Sequence, residues 1–219
     1  MLTLYVIVCI ISGYLLGAIP SSYLIGRFAG KIDLLKEGPN HVSAAAIYRQ
    51  LGLGPFVPVV VIDACKGMPA MFMAQVLTGS VWVVAATAVA ATIGHCWSAY
   101  IKFYGGMGGV IILGNLLYLG IYYGANHVPF EFIAGGLVAS AVMMTVKKST
   151  LSTFLWLMIA SIAYFAEIII LKNGELALAL LPLALWVIQF SKMLQSGGAM
   201  NNKNLMVPGL NKVRNTGHE

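Results

Sequence analysis

Apolar runs of about 18 residues or more recur along almost the whole chain, separated by short polar stretches. Runs of that length suffice to cross a hydrocarbon core of about 30 Å. The pattern predicts seven spans, over about 3–26, 54–77, 81–101, 108–124, 129–146, 151–171 and 176–195. The fourth is short and glycine-rich, which suits a tilted or partly re-entrant segment. The expected fold class is all-α, a polytopic membrane bundle of about seven transmembrane helices. Residues 1–195 form the membrane domain. Residues 196–219 are rich in Asn, Gly and Lys, have no apolar period, and read as a polar cytoplasmic tail. No small-residue cleavage site of the A-x-A kind follows the first run, so it is expected to stay as a helix.

Composition supports the pattern. The chain is 59% hydrophobic and 9% charged, against roughly 25% charged residues in a soluble domain. Its net charge is +6. In a membrane chain such a surplus reports cytoplasmic loops facing anionic headgroups, and no basic cluster with interleaved aromatics points to nucleic acid. With the N-terminus outside and the C-terminus cytoplasmic, the inner segments hold Arg27, Lys31, Lys36, Arg49, Lys102, Lys147, Lys148, Lys192, Lys203, Lys212 and Arg214. The outer loops hold Lys172 alone, and Lys66 lies within a span. That asymmetry fixes the expected orientation and turns every long polar loop to the cytoplasm. The three cysteines, Cys9, Cys65 and Cys96, lie in apolar context without metal-ligand spacing and read as small buried hydrophobes.

A few polar groups stand inside this apolar frame. Asp63 and Lys66, in VIDACKGMP, are three residues apart, so they share a helix face and can pair. Isolated at bilayer depth each would cost about 2.5–3.5 kcal/mol on insertion scales. The pair reads either as one wall of an intramembrane site or as a structural link between spans. Pro55, Pro58 and Pro69 around it predict a kinked or late-starting helix. Glu167, in AYFAEIIIL, has no basic partner on its own helix and reads as an interfacial or intersubunit carboxyl. His95 closes the third span in TIGHCWSAYIKFYGGMGG. Gly105, Gly106, Gly108 and Gly109 follow, the best candidate in the chain for a backbone anion cradle. Glycine clusters serve close helix crossings equally well.

One loop, GPNHVSAAAIYRQLG from Gly38 to Gly52, has Ala44, Ala45 and Ala46 where a binding loop would carry hydroxyls and amides. Together with SGYLLGAIPSSYLIGR, DACKG, the glycine-rich stretch and KKSTLS, it resembles the acylphosphate:glycerol-3-phosphate acyltransferase family of bacterial membranes, the PlsY family. The resemblance runs from about residue 10 to about 197. It implies seven spans with the N-terminus outside, a bacterial inner-membrane location, and acyl transfer from acyl phosphate to glycerol 3-phosphate without metal or cofactor.

The resemblance also shows what is absent. The family loop usually reads G-S-G-N-I-G-A-T-N-V-x-R. Gly38 and Arg49 match its ends; Pro39 and His41 replace its serine and first asparagine, and Ala45 and Ala46 its Thr-Asn pair. The second motif, G-H-x-x-P-x-F-x-x-F-K-G-G-K-G-V-A-T, is matched at Gly94, His95, Phe103, Gly105, Gly106 and Gly108. Its two lysines fall on Tyr104 and Met107, its proline on Ser98 and its threonine on Ile111. The family's later His and Asn fall on Val187 and Phe190. Apart from Ser98, each change removes a cation, a hydroxyl or an amide from the part that holds phosphate, and charge-assisted hydrogen bonds contribute roughly 1.5–3 kcal/mol each.

The residues implied for a site are therefore His95 as a vestigial catalytic base, with Gly38, Arg49, Asp63, Lys66, Gly105, Gly106, Gly108 and Lys147 around the substrate. Three function classes stay open: a non-catalytic subunit or lipid-binding relative, an acyltransferase with a changed acceptor or donor, and a small transporter or channel. The expected partners are membrane lipids and a larger membrane complex, with no nucleic acid.

Overall fold

The computed structural model describes residues 1–37, 42–123 and 176–200. Eight α-helices run through them. These are α1 (Leu2–Gly17), α2 (Ser21–Gly30), α3 (Ala44–Leu51), α4 (Leu53–Cys65), α5 (Met68–Thr78), α6 (Val81–Cys96), α7 (Gly109–Tyr123) and α8 (Leu176–Met200), with short 3-10 turns at Leu34–Glu37 and Ala99–Ile101. The fold is an all-α polytopic membrane bundle. Three stretches are long and apolar enough to cross a bilayer, Leu2–Gly30, Leu53–Thr78 and Leu176–Gln195. Val81–Cys96 and Gly109–Tyr123 are shorter apolar helices. The expected fifth and sixth spans, with Glu131, Glu167, Glu175 and Lys172, lie outside the described residues.

Two of the long stretches are broken, and the breaks position the site. In the first, Pro20 lacks an N–H and disfavours helical geometry at the residue before it, so α1 stops and α2 restarts at Ser21. The apolar pattern predicts one span ending near residue 26; the observed stretch reaches Gly30 through this interruption. In the second, the chain breaks at Lys66 and Gly67, and Pro69 opens α5, where its missing N–H costs nothing. Pro58 sits inside α4.

Small residues bring α1 and α6 together. A Cβ at Gly17 would meet the Ala91 carbonyl oxygen at 2.0 Å, and one at Gly94 would meet the Tyr14 carbonyl at 2.2 Å. This is the close backbone approach that packing in lipid favours, since burial of apolar surface no longer drives association there. The main core gathers Cys9, Met71, Val84, Ala88, Ile112, Leu116 and Leu185 from five helices. A second cluster, with Leu34, Val42, Ala46, Ile47, Val59 and Ile101, seats α3 and the 3-10 turns against α4. Around this, Leu4, Ile7, Ile11 and Leu15 of α1 stay exposed, as suits a lipid-facing helix.

Three expectations need correction. Cys9 and Cys96 are buried, but Cys65 is exposed. The third span is helical only to Cys96, because the chain turns through Ser98 and Ala99–Ile101 to bring Tyr104 back beside Ser98. Finally, α8 continues to Met200, past the expected start of the tail.

Candidate functional site

The two breaks, the C-terminal end of α6 and the glycine-rich loop meet in one polar cluster. Its centre is Asp63, 1% exposed. Its Oδ1 accepts from Lys66 Nζ at 2.9 Å and from Ser21 Oγ at 2.5 Å, and lies 3.5 Å from His95 Nδ1. The i,i+3 spacing of Asp63 and Lys66 places them on one face, as the sequence implies. Both face the bundle interior.

The cluster also completes the broken helix. Lys66 Nζ donates to the Ile19 carbonyl at 3.0 Å, and Ser98 Oγ donates to the Ala18 carbonyl at 2.5 Å. The interruption before Pro20 takes both carbonyls out of the helical ladder, and that of Ile19 also accepts from Ser21 N at 3.0 Å. In a membrane interior such groups need a partner from the protein itself. Lys66, Ser98 and, through Asp63, Ser21 therefore hold the backbone in place as well as shaping the cavity.

The cavity is a small cleft. Ile19, Ser21, Ser22, Val42, Lys66, His95, Ser98, Gly105 and Gly106 line it. The loop lies directly on His95. Gly106 N donates to the His95 carbonyl at 3.1 Å, and a Cβ at Gly106 would stand 2.3 Å from His95 Nε2. With Nδ1 turned to Asp63, Nε2 is the nitrogen that faces the loop.

Among the sequence-derived site residues, Asp63, Lys66, His95, Gly105 and Gly106 come together. Gly108 does not line the cleft; it adopts φ +84° and packs on Cys96. Arg49 is exposed on α3 and also stands outside the lining. Gly38 and Lys147 lie outside the described residues, as do Pro39, His41 and Lys148.

Several positions where the resemblance implies polar groups pack among apolar neighbours. Ala46 is 1% exposed within the second apolar cluster, and Ile111 is fully buried. Tyr104 packs against that cluster and its carbonyl accepts from Ser98 N at 3.1 Å. Val187, which the resemblance aligns with a family histidine, is 49% exposed, and Phe190 stacks on Trp186. The buried polar residues of α8 are instead Gln189 and Lys192, each 2% exposed.

Sequence reasoning gave no site role to Ser21, Ser98, Gln189 and Lys192. For Ser21 a signal exists, two serines directly after a proline in an apolar run. For Gln189 and Lys192 the signal is their i,i+3 spacing in step with Leu181 and Leu185. Among the described residues no group of three His, Cys, Asp or Glu side chains could hold a metal ion.

A family model described as glycerol-3-phosphate acyltransferase matches residues 7–196. A glycerol-3-phosphate acyltransferase of Halalkalibacterium halodurans is 32% identical over 155 residues, covering 70% of this chain and 71% of that protein. One from a Synechococcus strain is 40% identical over 111 residues, covering 51% of this chain and 55% of that protein. Among solved structures, the chain resembles PlsY (YgiH), an integral membrane glycerol 3-phosphate acyltransferase, in its glycerol 3-phosphate form. The TM-score is 0.68 at 21% identity, over 90% of this chain and 92% of that one. At that identity the likeness is one of fold.

Proposed function

The chain belongs to the glycerol-3-phosphate acyltransferase family, and from that premise we propose that it is a non-catalytic or strongly impaired member. In this reading it serves as a lipid-binding element or as a subunit of a larger membrane complex. One observation carries the reading. Lys66, the only lysine or arginine lining the cleft among the described residues, is already matched by Asp63 at 2.9 Å and by the Ile19 carbonyl. The loop beside it presents Tyr104 and Met107 rather than cations. Acyl transfer from an acyl phosphate to a phosphorylated acceptor gathers several negative charges, and catalysis there depends on placed cations and donors. A cleft whose cation is committed to holding the backbone lacks that stabilisation.

A second reading has its own support. His95 and Asp63 have the arrangement of an oriented base, Nδ1 toward the carboxylate and Nε2 toward the loop. An acyltransferase using a less anionic acceptor or a different acyl donor would retain that pair.

In either case the proposal includes seven spans, the N-terminus outside and a cytoplasmic tail in a bacterial inner membrane. The distribution of Lys and Arg supports this orientation. The test is acyl transfer from acyl phosphate to glycerol 3-phosphate by the purified protein in detergent, beside a homologue with intact motifs. We expect no detectable turnover by a folded, monodisperse protein. Turnover within about tenfold of the homologue, a barrier difference of about 1.4 kcal/mol, would sink the non-catalytic reading.

A further inference from the structure

We propose that the turn after α6 is a membrane-interface anchor, in which Tyr100 and Phe103 enter the headgroup boundary of the cytoplasmic leaflet and Lys102 meets its anionic headgroups. The lengths of the helices set the depth. Helix α6 has 16 residues and α7 has 15, about 24 Å and 22 Å at 1.5 Å per residue. Both fall short of a hydrocarbon core of about 30 Å. Trp82, half-exposed in the first turn of α6, suits the opposite interface. Measured from there, α6 ends before the near boundary is reached. The chain beyond it does not climb far. Ser98 N donates to the Tyr104 carbonyl at 3.1 Å, Phe103 N donates to the Ser98 carbonyl at 2.8 Å, and Gly106 N returns to the His95 carbonyl at 3.1 Å. The residues between Ser98 and Tyr104 are thus the tip of a closed loop seated on the last turn of α6, at the depth where hydrocarbon gives way to headgroups.

What the tip presents to that layer is amphipathic. Ile101, 5% exposed, turns inward to the second apolar cluster, while Tyr100 and Phe103 are 56% and 60% exposed. Lys102, between them, is exposed and has no acidic partner among the described residues. Lys102 and Phe103 hold φ at +56° and +60°, a left-handed pair that residues with such side chains seldom adopt. The reversal turns both side chains outward, an arrangement that water alone would not favour for phenylalanine. At a bilayer interface it is satisfied, because rings settle at the acyl boundary and an ammonium on a long stem reaches phosphate. Lys31, Lys36 and Arg49 are exposed as well, and such a surplus of cations fits an anionic leaflet. A soluble partner would need the rings above the headgroups, which the short α6 and the closed loop do not allow. The same turn leads directly into Gly105 and Gly106 of the cleft, so the leaflet holds that part of the cleft at a fixed depth. The choice of the cytoplasmic leaflet rests on the proposed orientation; insertion of the tip does not, and neither depends on acyl transfer.

The experiment places the full chain in nanodiscs and compares Phe103→Trp with the parent, so that the native tryptophans cancel. The probes are acrylamide in the water and phosphatidylcholine or phosphatidylglycerol brominated on the acyl chains. The added indole is expected to be quenched by the bromolipids and shielded from acrylamide, with brominated phosphatidylglycerol quenching more than brominated phosphatidylcholine at equal mole fraction. Lys102→Gln on that background should lower the preference for phosphatidylglycerol about fivefold, and Lys102→Arg should keep it, the effect of one basic residue near an anionic surface. Quenching by acrylamide and not by bromolipid puts the ring in water and overturns the anchor. So does a lipid preference that Lys102→Gln leaves unchanged. Should Phe103→Trp not fold, Tyr100→Trp carries the same measurements with the same readings. No step of this needs turnover, so its failure and the failure of the non-catalytic reading are seen separately.

Discussion

Lys66 Nζ lies 2.9 Å from Asp63 Oδ1, and the same nitrogen donates to the Ile19 carbonyl at the break between α1 and α2. One side chain therefore ties the second apolar stretch to the first and occupies the wall of the cleft. Because both partners are almost fully buried, each depends on the other: the ammonium has little water, and neither has the carboxylate. A pair of this kind contributes less to net stability than its geometry suggests, yet removing one partner is severe.

Asp63→Asn or Lys66→Met alone is accordingly expected to lower stability by about 3–5 kcal/mol, because each leaves a buried charge uncompensated. The double variant should lose less than the sum of the two, with a coupling of about 0.5–3 kcal/mol. Unfolding in detergent, followed by heat or denaturant for all four members of the cycle, checks this. Strict additivity would mean that the two side chains do not act as a pair.

Ser98→Ala isolates the other support of the break. It removes the donor to the Ala18 carbonyl in a buried setting. The expected loss is about 1–3 kcal/mol, the cost of an unsatisfied buried acceptor. Ser191→Ala serves as the control. That hydroxyl donates to the Val187 carbonyl on an exposed surface of α8, and its loss should change stability by no more than about 0.5 kcal/mol.

The α1–α6 crossing gives a contrast between two glycines. At Gly17 a Cβ would stand 2.0 Å from the Ala91 carbonyl oxygen, whereas at Gly54 it would meet nothing within 4 Å. Gly17→Ala must push two backbones apart and is expected to cost more than about 1–3 kcal/mol, the usual range for overpacking. Gly54→Ala, in the first turn of α4 and directly before Pro55, should change stability by no more than about 0.5 kcal/mol. Equal thermal midpoints for the two variants would contradict the close crossing.

Much of the frame is legible in the sequence because lipid imposes simple rules. Apolar length locates the spans, and prolines locate their interruptions. The spacing of Asp63 and Lys66 announces their pairing without reference to any other helix. What the sequence does not display depends on how helices cross. Ser98 matters because the turn after α6 carries it back to the Ala18 carbonyl. Gln189 and Lys192 matter because α8 turns that face toward α6 and leaves Val187 outside. A motif alignment assigns residues by order, whereas the helical period assigns them by face. At Val187 the two disagree, and 49% exposure settles which side chain faces lipid. Arg49 illustrates the same limit, since its place in the loop matches a family pattern while α3 presents it to the surface.

Introducing the polar groups that the family resemblance implies separates fold from chemistry. Met107 is partly exposed and should accept lysine with little loss of stability, whereas Tyr104→Lys also gives up the ring's contact with the second apolar cluster and is expected to cost about 1 kcal/mol. Ala46 differs, being 1% exposed among Val42, Ile47 and Val59. Ala46→Asn alone is expected to cost about 1–3 kcal/mol, as an amide without a partner in an apolar cluster. Pairing it with the two lysines and Ala45→Thr rebuilds the polar side of the loop. Glycerol 3-phosphate acylation by that combined variant, against none by the parent, would show that the scaffold of Asp63, Lys66, His95 and the glycines still supports the reaction. A folded combined variant without turnover would mean that these loop positions alone do not restore the reaction, with the α8 face, where Gln189 and Lys192 stand, as the next region to rebuild.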